Sequence, residues 1–205
     1  IETLSDKTLI IDITTHNKNG SIEMENILSK KGIKYVECPV MGGPVQALEG
    51  VLGGIVGGSE ENFKNSEKYL KCFCKDYFYF GKIGDGAKSK LLNNFLSLGT
   101  ATLTIELIKS AELFNIDLKK LYSVAKLGSG NSTSLNRIFD AYLKGDSKGY
   151  KFSVSNTVKD LTYINDLLKD HPNTEKISNT MKNIYTEAVE KGNGDIFISE
   201  LIDND

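Results

Sequence analysis

Four stretches of this chain carry residue types that could do chemistry. In the first, Gly84-Asp85-Gly86-Ala87-Lys88-Ser89-Lys90-Leu91-Leu92-Asn93-Asn94, two glycines precede a helical pattern. Free N–H groups at such a start can hold an anion. Lys90 and Asn94 are four apart and project from one face. A lysine set in an apolar helix can have a lowered pKa, which suits proton transfer. The same residues also describe an ordinary helix start with a solvated lysine, and spacing leaves both open. The second stretch is Glu37-Cys38-Pro39-Val40-Met41-Gly42-Gly43-Pro44. A strand ending in Gly-Gly can bring backbone N–H groups close to a carboxylate, and a tight loop between strands reads the same way. The third is Phe152 followed by Lys159-Asp160-Leu161 inside a helical pattern. Such a Lys-Asp pair, standing alone, describes a solvated face. The fourth is Asp12-Ile13-Thr14-Thr15-His16, with hydroxyls at a strand end. Open α/β sheets bind ligands there, although turn capping explains these residues equally well.

Several chemistries find no support. Gly81 to Gly86 leads into Ala-Lys-Ser, which breaks the phosphate-loop pattern. No G-x-G-x-x-G opens a helix after a first strand. Cys72-x-Cys74 lacks a second cysteine pair, so no metal site is expected. His16 and His171 are the only histidines, and neither is paired with a nucleophile.

The elements that must position these residues change in kind along the chain. Apolar β-rich runs at 8–13, 34–39, 51–56 and 77–80 read as strands. Helical patterns at 21–31 and 60–74 lie between them, the first capped by Ser21 and stopped by Gly32. Strands alternating with helices favour a sheet covered by helices. From 87 to 114 a long helical pattern is apolar around much of its circumference, which suits a helix buried in a larger assembly. Helical periods follow at 118–127, 134–143, 155–168 and 174–191. The expectation is an α/β part over residues 1–85 and an all-α part over 86–205.

Composition narrows the class. The chain has 205 residues, 25 basic and 27 acidic side chains and a net charge of -2. That leaves no basic footprint for nucleic acid. No uninterrupted apolar run approaches about 18 residues, so no membrane span is expected. Three cysteines argue against a disulfide framework and for a reducing, cytoplasmic setting. The first residue is Ile and the chain runs at once into a strand, which reads as a start in the middle of a fold.

Taken in order, these motifs resemble the β-hydroxyacid dehydrogenase family, which contains 3-hydroxyisobutyrate dehydrogenase and tartronate semialdehyde reductase. That family's Asp-x-Ser-Thr strand end is matched by Asp12-Ile13-Thr14-Thr15. Its Asp-Ala-Pro-Val-Ser-Gly-Gly segment, then Ala and Gly-x-Leu, is matched by Glu37 to Gly43, Ala47 and Gly50-Val51-Leu52. Its Gly-x-Gly with a catalytic Lys and an Asn is matched by Gly84, Gly86, Lys90 and Asn94. Its Phe before Lys-Asp-Leu is matched by Phe152 and Lys159-Asp160-Leu161, and Gly192-x-Gly194-Asp195 fits its closing segment.

The resemblance implies a Rossmann domain of which only the C-terminal half is here, then an all-α domain built on a long interdomain helix. The active site would lie in the cleft between them. It implies reversible hydride transfer between NAD or NADP and a small β-hydroxyacid. Lys90 would be the general acid/base and Asn94 would hold Lys90 and substrate in register. Met41, Gly42 and Gly43 would form the substrate side, with the Gly42-Gly43 backbone receiving its carboxylate. Thr15, Phe152, Lys159 and Asp160 would line the nicotinamide side.

Met41 stands where the family usually has Ser, so the acid handled is expected to differ from 3-hydroxyisobutyrate. The glycine-rich loop and the residue that chooses between NAD and NADP are absent. About 80 to 100 residues, the first βαβ half, are missing on this reading. The piece alone is therefore expected to be inactive and to bind nicotinamide cofactor weakly or not at all. A homodimer or higher oligomer is expected around the apolar helix. Two alternatives stay open. One is an imine or semialdehyde reductase on the same scaffold, and the other is a non-catalytic helical dimerisation module.

Overall fold

The computed structural model describes residues 4–204. By internal contacts the chain divides into two compact units, residues 1–93 and 94–205.

The first unit holds a mixed sheet of β1 (Leu9–Asp12), β2 (Lys34–Glu37), β3 (Val40–Met41), β4 (Leu52–Gly57) and β5 (Cys74–Gly81). β1 runs parallel to β2, placing Asp12 opposite Glu37 at their carboxyl ends. β2 and β3 share one edge of β4, both antiparallel, and β5 runs parallel along its other edge. Alternate strand residues face opposite ways, and each face has its own helix. Ile10 and Tyr35 pack with Leu28, Ile22 and Met24 of α1 (Lys18–Ser29). Leu9, Ile11, Val36, Cys38 and Val56 pack with Phe63 and Leu70 of α3 (Glu60–Leu70). Between β3 and β4 lies the short α2 (Pro44–Leu48).

Three local expectations are corrected here. α1 starts before Ser21, because the Asn17 amide accepts from Gly20 N at 2.8 Å and caps the helix four residues earlier. Ser21 is instead buried inside the helix. β5 starts at Cys74, since its backbone already pairs with Leu52 there. The third concerns α4 (Asp85–Leu113). It is long and apolar enough, by length and composition, to cross a membrane, its best 18-residue window having a mean hydropathy of 1.3. Counting uninterrupted apolar runs missed this because Ser, Thr and Gly break the run without adding charge. Of that window 44% is buried in the protein, and a core helix meets the same criterion. Within this single chain α4 is buried on one side only, which leaves the expected burial in a larger assembly untested. Ala101, Ile105 and Ile108 are in the core, while Leu92, Leu96, Leu103 and Leu113 are 49–76% exposed.

In the second unit α4 continues, followed by α5 (Leu118–Leu127), α6 (Thr133–Tyr142), α7 (Val154–Leu168) and α8 (Pro172–Glu190). Ile138, Phe139, Leu161, Ile164 and Tyr185 are fully or almost fully buried. Thr102 and Tyr185 share a buried hydroxyl hydrogen bond of 2.7 Å that ties α4 to α8. The C-terminal segment ties down the start of α7. Val154 N donates to Ile196 O, Ser155 N to Gly194 O and Ile198 N to Phe152 O, each at 2.9 Å. Gly194 suits this close approach, since a β-carbon there would sit 2.6 Å from Ser155 Oγ, which would have to turn away.

Gly57 and Gly86 face each other in the first unit. A β-carbon on Gly57 would collide with Glu37 Oε1 and lie 2.9 Å from Gly86 N. Gly57→Ala is expected to lower stability by about 1–3 kcal/mol, the usual cost of forcing volume into packed surroundings. Thermal or denaturant unfolding checks this, and an unchanged midpoint would contradict the close approach.

Candidate active site

A buried carboxylate holds the start of α4. Glu37, the last residue of β2, is 2% exposed. Its Oε1 accepts N–H bonds from Gly84 at 2.7 Å, Gly86 at 2.9 Å and Ala87 at 3.3 Å. These are N–H groups that a helix start leaves unpaired, at the end of the helix where negative charge is favoured. Oε2 is buried without a hydrogen-bond partner among the described residues. The charge is felt nearby. Burial and then Glu37 push the Glu25 carboxyl above its ordinary value. Burial, Asp12 and Glu37 together push the Tyr35 phenol far up.

Lys90 lies about one helical turn further along α4 and is 7% exposed. Its Nζ donates to Val40 O at 2.9 Å and meets Met41 Sδ at 3.2 Å. Asn93 Nδ2 donates to the same sulfur at 3.2 Å. Gly42 follows with φ +117, and a β-carbon on it would sit 2.8 Å from Leu52 Cδ2, so glycine is required. Gly43 N donates to Gln46 Oε1 at 2.9 Å. A carboxylate arriving at the Gly42-Gly43 backbone must therefore displace that amide.

At the end of β1, Asp12 accepts from Thr14 N and from Tyr35 Oη, both at 2.9 Å. Burial alone would raise the Asp12 carboxyl. The bonds from Thr14 and Tyr35, with the charge of His16, outweigh burial and hold it below its ordinary value. Thr15 is half-buried just beyond this turn.

In the second unit Asn94 Nδ2 donates to Asp160 Oδ2 at 2.8 Å, and both residues are buried. Asp160 Oδ1 lies 3.2 Å from Lys159 Nζ, whose side chain is 42% exposed. The carboxylate can only accept, so it fixes which way round the Asn94 amide sits. Oδ1 of Asn94 is thereby turned away from Asp160. Phe152 is half-buried just before α7, its carbonyl held by Ile198 N.

The structure thus gathers Lys90 with Val40 and Met41 in one unit, and Asn94 with Asp160 and Lys159 in the other. Thr15 and Phe152 join neither group by a side-chain hydrogen bond among the described residues. Sequence reasoning missed Glu37 as the holder of α4 and Asn93 as a partner of Met41. The signal for Glu37 was an acidic residue inside the otherwise apolar run Tyr35-Val36-Glu37-Cys38. The signal for Asn93 was its place three residues after Lys90.

Residues 1–81 match the family model described as the NAD binding domain of 6-phosphogluconate dehydrogenase. Residues 84–203, more than half the chain, match the model described as NAD-binding of NADP-dependent 3-hydroxyisobutyrate dehydrogenase. The chain belongs to the β-hydroxyacid dehydrogenase family. Both family models are of nicotinamide-dinucleotide-binding domains, so the cofactor class is NAD or NADP. A probable mitochondrial 3-hydroxyisobutyrate dehydrogenase of Dictyostelium discoideum is 29% identical over 214 residues, covering 98% of this chain and 65% of that protein. The mitochondrial 3-hydroxyisobutyrate dehydrogenase of Mus musculus is 32% identical over 133 residues, covering 62% of this chain and 38% of that protein. The chain therefore spans less than two thirds of either relative. The crystal structure of a 3-hydroxyisobutyrate dehydrogenase from Salmonella typhimurium superposes with a TM-score of 0.87 at 22% identity, over 98% of this chain and 70% of that one. At that identity the family member shares the fold, a Rossmann-like sheet and a helical region.

Proposed function

We propose that this chain is part of an NAD(P)-dependent oxidoreductase that moves a hydride between nicotinamide and a small β-hydroxyacid of the 3-hydroxyisobutyrate kind. The observation that carries the reading is Lys90, a buried amine held on a backbone carbonyl beside the Gly42-Gly43 turn. Nicotinamide, when bound, supplies the hydride acceptor or donor. Lys90 Nζ takes the substrate hydroxyl proton in oxidation and returns it in reduction. Asn94, oriented by Asp160, offers Oδ1 to hold the hydroxyl and the lysine in register. The Gly42-Gly43 backbone receives the substrate carboxylate as Gln46 gives way.

Thr15, just past the end of β1 in the first unit, would offer the nicotinamide end of the cofactor a hydroxyl. Phe152 and Lys159, in the second unit, would offer it an apolar ring and an ammonium backed by Asp160. No glycine-rich pyrophosphate cradle occurs in the sequence. On this reading the 205-residue chain alone is inactive and binds NAD(P)H weakly or not at all. Micromolar NAD(P)H affinity measured on it would contradict that.

The test is NAD(P)H fluorescence in the intact protein against a panel of small β-hydroxyacids. Turnover is expected. Reduction of cyclic imines with no hydroxyacid oxidation would replace the reading. Met41 sets the substrate range, because it presents a thioether where a hydroxyl would bond the substrate. Met41→Ser is expected to shift the kcat/KM ratio of 3-hydroxyisobutyrate to a less polar hydroxyacid by about 10-fold in favour of the former. An unchanged ratio would remove Met41 from the substrate side.

A further inference from the structure

We infer that Glu37 is the positioning residue for Lys90. The inference rests on the reading of Lys90 as the acid/base. A buried carboxylate is costly unless its charge is met. Here one oxygen collects three helix-start N–H groups while the other has no hydrogen-bond partner among the described residues. Room for this is built in, since Gly57 and Gly86 lack the β-carbons that would occupy the space of Glu37 Oε1. The same short stretch then grips α4 a second time. Three residues after Glu37, Val40 O accepts from Lys90 Nζ, and Lys90 is three residues after Ala87. Strand and helix are therefore pinned in register at two points, by the Glu37 carboxylate on the first turn and by the Val40 carbonyl on the next. Without the first pin the opening turn of α4 loses its acceptor, and the Lys90 amine shifts against Val40 and the Gly42-Gly43 turn. The hydrogen bonds of Glu37 go to the helix start, and on this reading it acts through the helix.

The experiment uses the intact protein, with rates expressed per cofactor-binding site. Glu37→Met keeps the bulk and removes the acceptor. It is expected to lower kcat for hydroxyacid oxidation by about 10- to 100-fold, the scale of a small misplacement of a catalytic group. KM should stay within about 3-fold, since the substrate carboxylate is assigned to the Gly42-Gly43 backbone and not to Lys90. Glu37→Gln keeps an accepting oxygen and is expected to restore kcat to within a few-fold of native. In a Lys90→Ala background, adding Glu37→Met is expected to cost less than about 2-fold, because residues that act as one unit are not additive. Full additivity there, or native kcat in Glu37→Met, would overturn the inference. If Glu37→Met does not fold, Glu37→Asp withdraws the acceptor by one methylene and should show a smaller loss confined to kcat. Native kcat in that variant would overturn the inference equally. Native activity in Lys90→Ala alone would instead sink the underlying reading.

Discussion

Replacing Lys90 with alanine is expected to lower kcat for hydroxyacid oxidation by about 10^2- to 10^4-fold, the usual contribution of a positioned acid/base. The magnitude follows from how little else could do its work. Lys90 is buried, and its amine is held on Val40 O and against Met41 Sδ. The other amine assigned to the site, Lys159, is tied to Asp160 in the helical unit. Substrate binding should suffer less than turnover, because the carboxylate is assigned to the Gly42-Gly43 backbone. Initial rates of NAD(P)H formation by the intact protein, with KM measured alongside, decide the matter. Full activity in the variant would rule Lys90 out.

Asp160→Ala is expected to damage both stability and turnover. Asp160 is 1% exposed and accepts from the buried Asn94 amide. Alanine leaves that amide N–H without its partner, a loss of about 1–3 kcal/mol. The pairing with Lys159 adds little, since the lysine side chain is 42% exposed and solvent screens it. Turnover should fall because nothing then fixes which way round the Asn94 amide sits, and a misdirected group costs on the order of 100-fold. Asp160→Asn separates the two contributions. Its carbonyl oxygen can still accept from Asn94, so most of the activity should return while the pairing with Lys159 is lost. Denaturant unfolding and kcat/KM for the two variants provide the check. Equal loss in both would show that the charge, and not the hydrogen bond to Asn94, carries the effect.

Much of the fold was legible because local periodicity and tertiary burial agree. Alternation along Leu9-Ile10-Ile11 and Tyr35-Val36 sends residues to opposite helices, as the pattern required. α5 spans the residues its helical period indicated, 118–127, and Gly128 caps it. What was illegible depends on partners distant in sequence. β5 extends back to Cys74 through backbone pairing that Lys75 and Asp76 give no sign of. The exposed side of α4 could not be told from its buried side, because both carry large aliphatic residues, Leu92, Leu96 and Leu103 on one and Leu91, Leu98 and Ile105 on the other.

The candidate site divides in the same way. Lys90 and Asn94 are readable as one helix face at i, i+4 spacing. The partner each one finds is not, since Val40 and Asp160 are 50 and 66 residues away. The Gly42-Gly43 turn was legible as backbone, but Gln46 already occupying the Gly43 N–H was not. Nor was the bond between the Glu37 carboxylate and Gly84, which are 47 residues apart.

The central claim is direct hydride transfer from a β-hydroxyacid to nicotinamide with Lys90 handling the proton. It is tested most directly by oxidising a β-hydroxyacid deuterated at its carbinol carbon with the intact protein and NAD or NADP. Mass spectrometry of the reduced cofactor should find one deuterium per turnover, and Lys90→Ala should slow the transfer by about 10^2- to 10^4-fold. Reduced cofactor without deuterium, or transfer at the native rate in Lys90→Ala, would contradict the account.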